Sequence, residues 1–268
     1  IATAVGKGAL GADSLEDLVS KLTGPRAVWI MVPAGKPTEM TVNAVAELLD
    51  AGDVIVDGGN SNYHQSVERG TKLQSKGIHF VDVGTSGGVW GLTEGYSMMV
   101  GGSEDAVQLV EEAIRTLAPA PDKGWGHVGP GGSGHYVKMV HNGIEYGLMQ
   151  AYAEGYSIMK HKEEFGLDLH QVSKIWQHGS VIRSWLLDLI ANAVEENPDM
   201  SDIAPYVPDS GEGRWTVFEA LDQVVTAPVI TLAFLARLRS LDDESYADRL
   251  LSAMRNQFGG HKIHRGNS

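Results

Sequence analysis

As far as about residue 130, short apolar runs alternate with stretches of helical period; after Ser133 the helical period continues largely alone. Ala27-Val28-Trp29-Ile30-Met31-Val32, Val54-Ile55-Val56-Asp57 and His79-Phe80-Val81-Asp82-Val83 are short and apolar, and read as buried strands. They run into Gly, Pro or Asn and then into helix-like sequence, for example at residues 40–49 and 63–75. Shorter strand candidates at 97–100 and 126–128 flank a helix near 106–117. Such strand–helix–strand alternation predicts a parallel sheet with helices on both faces. Loops at Asn197-Pro198 and at 205–213 separate the later helices. The expectation is an α/β half, residues 1–130, followed by an all-helical half, residues 131–268.

The 268 residues suffice for two such domains, and 43% hydrophobic with 21% charged residues is an ordinary globular composition. A formal net charge of −13 argues against nucleic-acid binding, which needs a basic surface. It leaves room for a small anion, because a few focused arginines override the mean field. With no cysteine, disulfides, thiol catalysis and thiolate metal sites are excluded. The ten histidines show no HExxH spacing, so no metal is implied. No run approaches the ~18 apolar residues of a membrane span, and no signal peptide opens the chain. The expectation is a cytoplasmic enzyme.

The chemistry-bearing segment is Gly134-His135-Tyr136-Val137-Lys138-Met139-Val140-His141-Asn142-Gly143-Ile144-Glu145-Tyr146. On a helix, Lys138, His141, Asn142 and Glu145 fall at i, i+3, i+4 and i+7 and form one polar stripe. Val137, Met139, Val140 and Ile144 are too many apolar residues for a plain surface helix, so the stripe is expected in a cleft. Gly129-Pro130-Gly131-Gly132-Ser133-Gly134 breaks any preceding element, and Ser133 is the expected helix cap. A base and an acid on one rigid helix suit catalysis; the competing reading is a solvated amphipathic face.

Gly6-Lys7-Gly8-Ala9-Leu10-Gly11 matches the G-x-G-x-x-G dinucleotide pattern. That pattern needs a strand before it and an acid at the end of the next strand, to hold a ribose hydroxyl. Here the next strand ends in Met31-Val32-Pro33-Ala34-Gly35, without an acid, so the match is read as fortuitous.

The helical segment resembles the catalytic helix of the 6-phosphogluconate dehydrogenase family, in its decarboxylating, short-chain form within the β-hydroxyacid dehydrogenases. Four further strings match in order: Asp57-Gly58-Gly59-Asn60-Ser61, Gly84-Thr85-Ser86-Gly87-Gly88-Val89-Trp90-Gly91, Asp209-Ser210-Gly211-Glu212-Gly213-Arg214-Trp215-Thr216 and Arg255-Asn256-Gln257-Phe258-Gly259-Gly260-His261. The resemblance implies a Rossmann-like N-terminal domain whose first βαβ is missing from this chain, then an all-α domain for substrate and oligomerisation. It implies Lys138 as the base that later stabilises an enolate, and Glu145 as the acid that protonates the product carbon, aided if burial raises its pKa. Asn60, Ser86, Gly87, Gly88, His141 and Asn142 would hold substrate hydroxyls and carboxylate. Arg214, Arg237 and Arg255, with Tyr146, Thr216 and His261, would hold phosphate and sugar. Arg214 stands where the long-chain enzymes carry lysine. Val32, Pro33, Ala34 and Asn60 would flank the nicotinamide. The cofactor is NAD or NADP, with NAD favoured by the short-chain form. The tail from Arg255 to His261 resembles one that completes a partner subunit's site, which implies a homodimer or homotetramer. The implied substrate is a small phosphorylated sugar acid. Two other readings stay open: a 3-hydroxyisobutyrate-type dehydrogenase, and a non-catalytic helical scaffold without its nucleotide half.

Overall fold

The computed structural model describes residues 1–260 and 262–264. Five strands form one sheet in the order β1 (Ala27–Ile30), β2 (Val54–Asp57), β3 (His79–Ser86), β4 (Ser97–Gly101) and β5 (Trp125–Gly129). The helices are α1 (Ala2–Val5), α2 (Leu15–Ser20), α3 (Lys36–Ala46), α4 (Tyr63–Gln74), α5 (Gly91–Glu94), α6 (Glu104–Leu117), α7 (Ser133–Lys160), α8 (Leu169–Trp176), α9 (Trp185–Glu196), α10 (Glu212–Asp222), α11 (Pro228–Arg239) and α12 (Tyr246–Gly259).

Successive strand residues face opposite sides of a sheet, and here both sides are buried. Val28, Ile55 and Phe80 are in register across β1, β2 and β3, and pack with Val42 and Val45 of α3 and Leu73 of α4. Val54, Val56, Val81 and Val83 pack with Met98, Val100 and with Val107, Val110 and Ile114 of α6. This two-sided burial explains why β2 reads as an unbroken apolar run in the sequence.

The sheet departs from the expected parallel arrangement at one place. β1–β2, β2–β3 and β4–β5 are parallel, but β3 and β4 are antiparallel. Only residues 87–96 join these two strands, and they hold no more than a 3₁₀ turn and the single turn of α5. A parallel crossover takes a dozen residues or more, so the chain reverses instead. The N-terminal glycine string follows the short helix α1 and no strand, which agrees with reading its pattern as fortuitous.

The chain divides into two compact units. The first comprises Ile1–Glu145 with Gly211–Thr226, and contains the whole sheet together with α10. The second comprises Tyr146–Ser210 and the chain from Ala227 onward, and is helical. Within the second, Leu187, Ala191 and Val194 bury one face of α9, and His170 of α8 bonds the Ala191 carbonyl at 3.1 Å. Tyr156 and Ser173 share a hydrogen bond of 2.6 Å between α7 and α8. Among the described residues no helix is long and apolar enough to cross a membrane.

Candidate active site

Helix α7 carries the polar stripe, and burial grades along it. Lys138 is 7% exposed and Asn142 8%, whereas the side chains of His141 and Glu145 are 40% and 38% exposed. The stripe is therefore neither solvated along its length nor sealed. His141 Nδ1 stands 3.5 Å from Lys138 Nζ, 3.0 Å from Asn142 Oδ1 and 3.8 Å from Glu145 Oε2, so the imidazole is the hub of the stripe. Burial pushes the Lys138 ammonium below the usual lysine range; the nearby charges of Glu145 and Glu212 oppose that shift without cancelling it. The amine can take up a proton and then offer a positive charge.

The helix sits unusually close to the sheet. A Cβ on Gly84 of β3 would lie 2.4 Å from the Lys138 Cβ and 2.6 Å from the Gly134 carbonyl oxygen. A Cβ on Gly134 would strike the Asp82 and Met99 carbonyls, both at 2.5 Å. Glycines at 84, 101 and 134 thus let the start of α7 lie directly against β3 and β4. Ser133 does not cap this helix. It is the first helical residue, and its buried hydroxyl has no hydrogen-bond partner. Asp82 of β3 supplies the cap instead, accepting from the backbone N–H of Gly132 at 2.6 Å and of His135 at 2.8 Å.

Three loops gather at the C-terminal ends of the parallel strands. Val32-Pro33-Ala34 follows β1, where Thr38 Oγ1 donates to the Pro33 carbonyl at 2.9 Å. The turn after β2 is organised by Asp57, which is fully buried and accepts from Gly59 N–H at 3.2 Å, Ser61 Oγ at 2.7 Å and Arg69 Nη1 at 3.0 Å. Asn60 is left exposed between those anchored neighbours. A Cβ on Gly59 would come within 3.1 Å of the Val32 carbonyl, so the first two loops adjoin. β3 ends at Ser86, and Gly87 and Gly88 follow with φ of 139° and 52°, conformations that glycine adopts without strain.

Helix α10 brings Arg214 and Thr216 into the same unit. Thr216 Oγ1 lies 2.8 Å from the Met139 carbonyl, and a Cβ on Gly143 would meet its methyl group at 2.6 Å, so α10 crosses α7 beside the stripe. The buried Glu212 opens α10. Tyr63, at the start of α4, donates to Glu219 at 2.7 Å and ties the Asn60 turn to α10. Burial, with Glu219 beside it, pushes that phenol upward.

The remaining expected residues belong to the helical unit. Tyr146 is 5% exposed; its hydroxyl is 3.2 Å from Ser210 Oγ, and the Arg237 guanidinium sits 3.5 Å over its ring, a cation–π pair. Arg237 also donates to the Pro208 carbonyl at 3.4 Å. Arg255 is exposed on α12. His261 lies outside the described residues.

Sequence reasoning passed over Asp82, Arg69 and Glu212. Asp57 and Asp82 each interrupt an apolar strand, and a carboxylate inside such a run was the available signal, since it must be paired or hydrogen-bonded to be buried.

Residues 1–127 match the family model described as the NAD binding domain of 6-phosphogluconate dehydrogenase, and residues 160–268 match that of its C-terminal domain. The NAD(+)-dependent, decarboxylating 6-phosphogluconate dehydrogenase of Haloferax volcanii is 43% identical over 266 residues, which is 99% of this chain and 87% of that protein. Among solved structures, Plasmodium falciparum 6-phosphogluconate dehydrogenase superposes with a TM-score of 0.81 at 30% identity; all of this chain is covered, and it spans 59% of that chain. A 3-hydroxyisobutyrate dehydrogenase of Mycobacterium tuberculosis superposes with a TM-score of 0.69 at 19% identity, covering 90% of this chain and 82% of that one, a likeness of fold alone. This chain belongs to the 6-phosphogluconate dehydrogenase family.

Proposed function

We propose that the protein oxidises 6-phosphogluconate to ribulose 5-phosphate and CO2 with reduction of NAD or NADP. The observation that carries this reading is the buried Lys138 with its lowered pKa, on one stripe with the half-exposed Glu145. The uncharged amine takes the proton of the substrate's C3 hydroxyl. The resulting ammonium then stabilises the enolate oxygen as the β-keto acid loses CO2. Glu145 protonates C1 of the enediol. His141 and Asn142 hold the substrate hydroxyls, and Ser86, Gly87 and Gly88 offer a hydroxyl and open backbone N–H groups to the carboxylate.

The cofactor's nicotinamide half is assigned to the adjoining loops of Val32-Pro33-Ala34 and Asn60, where a Cβ on Gly59 would crowd the Val32 carbonyl. When bound, the nicotinamide ring supplies the hydride acceptor. NAD is favoured, since the 43% identical relative is named NAD(+)-dependent. Arg214, Arg237 and Arg255, with Tyr146, Thr216 and His261, are assigned to phosphate and sugar, the arginines for their forked donors. Residues 1–130 are assigned to the nucleotide and 131–268 to substrate and oligomerisation. The tail from Arg255 is assigned to the partner's site in a homodimer or homotetramer.

The test is absorbance of reduced nicotinamide when 6-phosphogluconate is added with NAD or with NADP. Growth with wild type and none with K138M is expected. No growth with either cofactor, alongside turnover of 3-hydroxyisobutyrate, would replace this reading with the other β-hydroxyacid dehydrogenase.

A further inference from the structure

The first turn of a helix leaves backbone N–H groups without intrahelical partners, and a neighbouring Ser, Thr, Asn or Asp ordinarily serves them. In α7 the neighbouring hydroxyl of Ser133 is unused, and the acceptor comes from a residue 50 positions earlier in the chain. Asp82 is 0% exposed, and so complete a burial of a carboxylate is costly without compensation. Each of its oxygens takes one backbone N–H of the α7 start. These are charge-assisted bonds at the positive end of a helix dipole. A Cβ on Gly101 would lie 2.5 Å from Asp82 Oδ1, so β4 walls the carboxylate in and the aspartate has one pose.

The strand geometry gives this anchor a direction. Residues i, i+2 and i+4 of a strand share a face. Asp82, Gly84 and Ser86 are such a set on β3. Asp82 holds the helix start, Gly84 touches the Lys138 turn, and Ser86 opens the loop assigned to the substrate. One strand therefore measures the separation between the lysine and that loop.

Resting on the function proposed above, we propose that Asp82 is a positioning residue: by clamping the Gly132 and His135 amides it sets where Lys138 stands relative to the Ser86–Gly88 loop. Lys138 is surrounded by His141 and Glu145 on its own helix and by Glu212 on α10.

The test is D82N in the full chain, with S66A as control. Asparagine keeps the shape but turns an N–H₂ toward a backbone N–H, so one of the two bonds is lost. Ser66 Oγ bonds His135 Nδ1 at 2.7 Å and ties α7 to α4, not to β3. D82N is expected to lower kcat by about ten- to a hundredfold, the scale of a displacement near 1 Å, with KM for 6-phosphogluconate held within about threefold. The pH dependence of amine labelling at Lys138, read by peptide mass spectrometry, is expected to move toward that of an ordinary lysine. S66A is expected to lose stability and keep kcat. If D82N leaves both kcat and Lys138 titration unchanged, the proposal is overturned, however far its Tm falls. If wild type does not oxidise 6-phosphogluconate while D82N still shifts the Lys138 titration, the proposed activity falls and the positioning role stands. If D82N does not fold, hydrogen exchange on the wild type decides. The Gly132 and His135 amides are expected to exchange as slowly as the centre of β3; exchange as fast as at Gly131 overturns the proposal.

Discussion

Replacing Gly84 with alanine tests the closeness of the helix to the sheet by adding a single methyl group. Its Cβ would stand 2.4 Å from the Lys138 Cβ, 2.6 Å from the Gly134 carbonyl oxygen and 3.2 Å from the Lys138 Cγ. Carbon atoms in contact settle at about 3.5–4.0 Å, so the Cβ pair must open by about 1.1–1.6 Å. Neither near obstacle is the end of a flexible side chain: one is backbone and the other is fixed to it. The strain therefore cannot be relieved by a rotamer change and must move the helix or the strand. Overpacking of this kind costs about 1–3 kcal/mol. For a cooperative unit of this size that corresponds to about 2–4 °C in Tm per kcal/mol. The same displacement carries Lys138 with it, and about 1 Å of misplacement at a reacting group costs about a hundredfold in rate. The assay is paired: a thermal melt, and kcat from reduced-nicotinamide absorbance with 6-phosphogluconate saturating. Gly131→Ala, whose added Cβ would meet no atom within 4 Å, is the control and should match wild type in both. G84A with kcat within about threefold of wild type and an unchanged Tm would refute the reasoning, because the seam would then have slack that its distances deny. A lowered Tm with full kcat would leave the seam structural and remove its part in placing the lysine.

Four other outcomes are expected. Burial makes the folded Lys138 bind its proton less tightly than the unfolded chain does, so stability rises with pH between the lowered folded pKa and the ordinary value of 10.5, and below that window the charged lysine costs stability in full. K138M should therefore be inactive yet more stable than wild type at neutral pH, in a urea-melt series whose gap narrows toward pH 10.5; a gap independent of pH contradicts this. The acid limb of kcat/KM should fall at a pH below 10.5. Arg69 and Asp57 have side chains only 2% and 1% exposed, 3.0 Å apart, so R69L leaves a buried charge unpaired and should cost about 3–5 kcal/mol by urea denaturation. The double variant R69L/D57N should recover part of that loss; one no more stable than R69L argues against the pairing. Truncation before Arg255 should raise KM for 6-phosphogluconate sharply, and unchanged kinetics would contradict the tail's assignment to a partner's site.

What could be read from the sequence was what acts locally. Val54 to Asp57 was placed to the residue because its apolar run is buried on both faces and ends in a Gly-Gly turn. The Lys138 stripe was legible because four side chains at helical spacing share a face whatever surrounds them. The direction of β4 was not legible from its own residues, since nothing in Ser97-Met98-Met99-Val100 states which way the strand runs; the shortness of residues 87–96 carried that information. The capping of α7 failed for a related reason. Ser133 satisfies every local criterion, but the glycines at 84, 101 and 134 draw the helix start onto the sheet, where a carboxylate already waits and the serine hydroxyl is shut away. A local cap fixes a helix end only with respect to its own chain. A cap reached from β3 fixes it with respect to the strand that leads to Ser86, and the proposed reaction, which needs the amine at a set separation from the loop assigned to the substrate, needs the second kind. The glycines and the aspartate are then one device: the first allow the approach, and the second gives it a register.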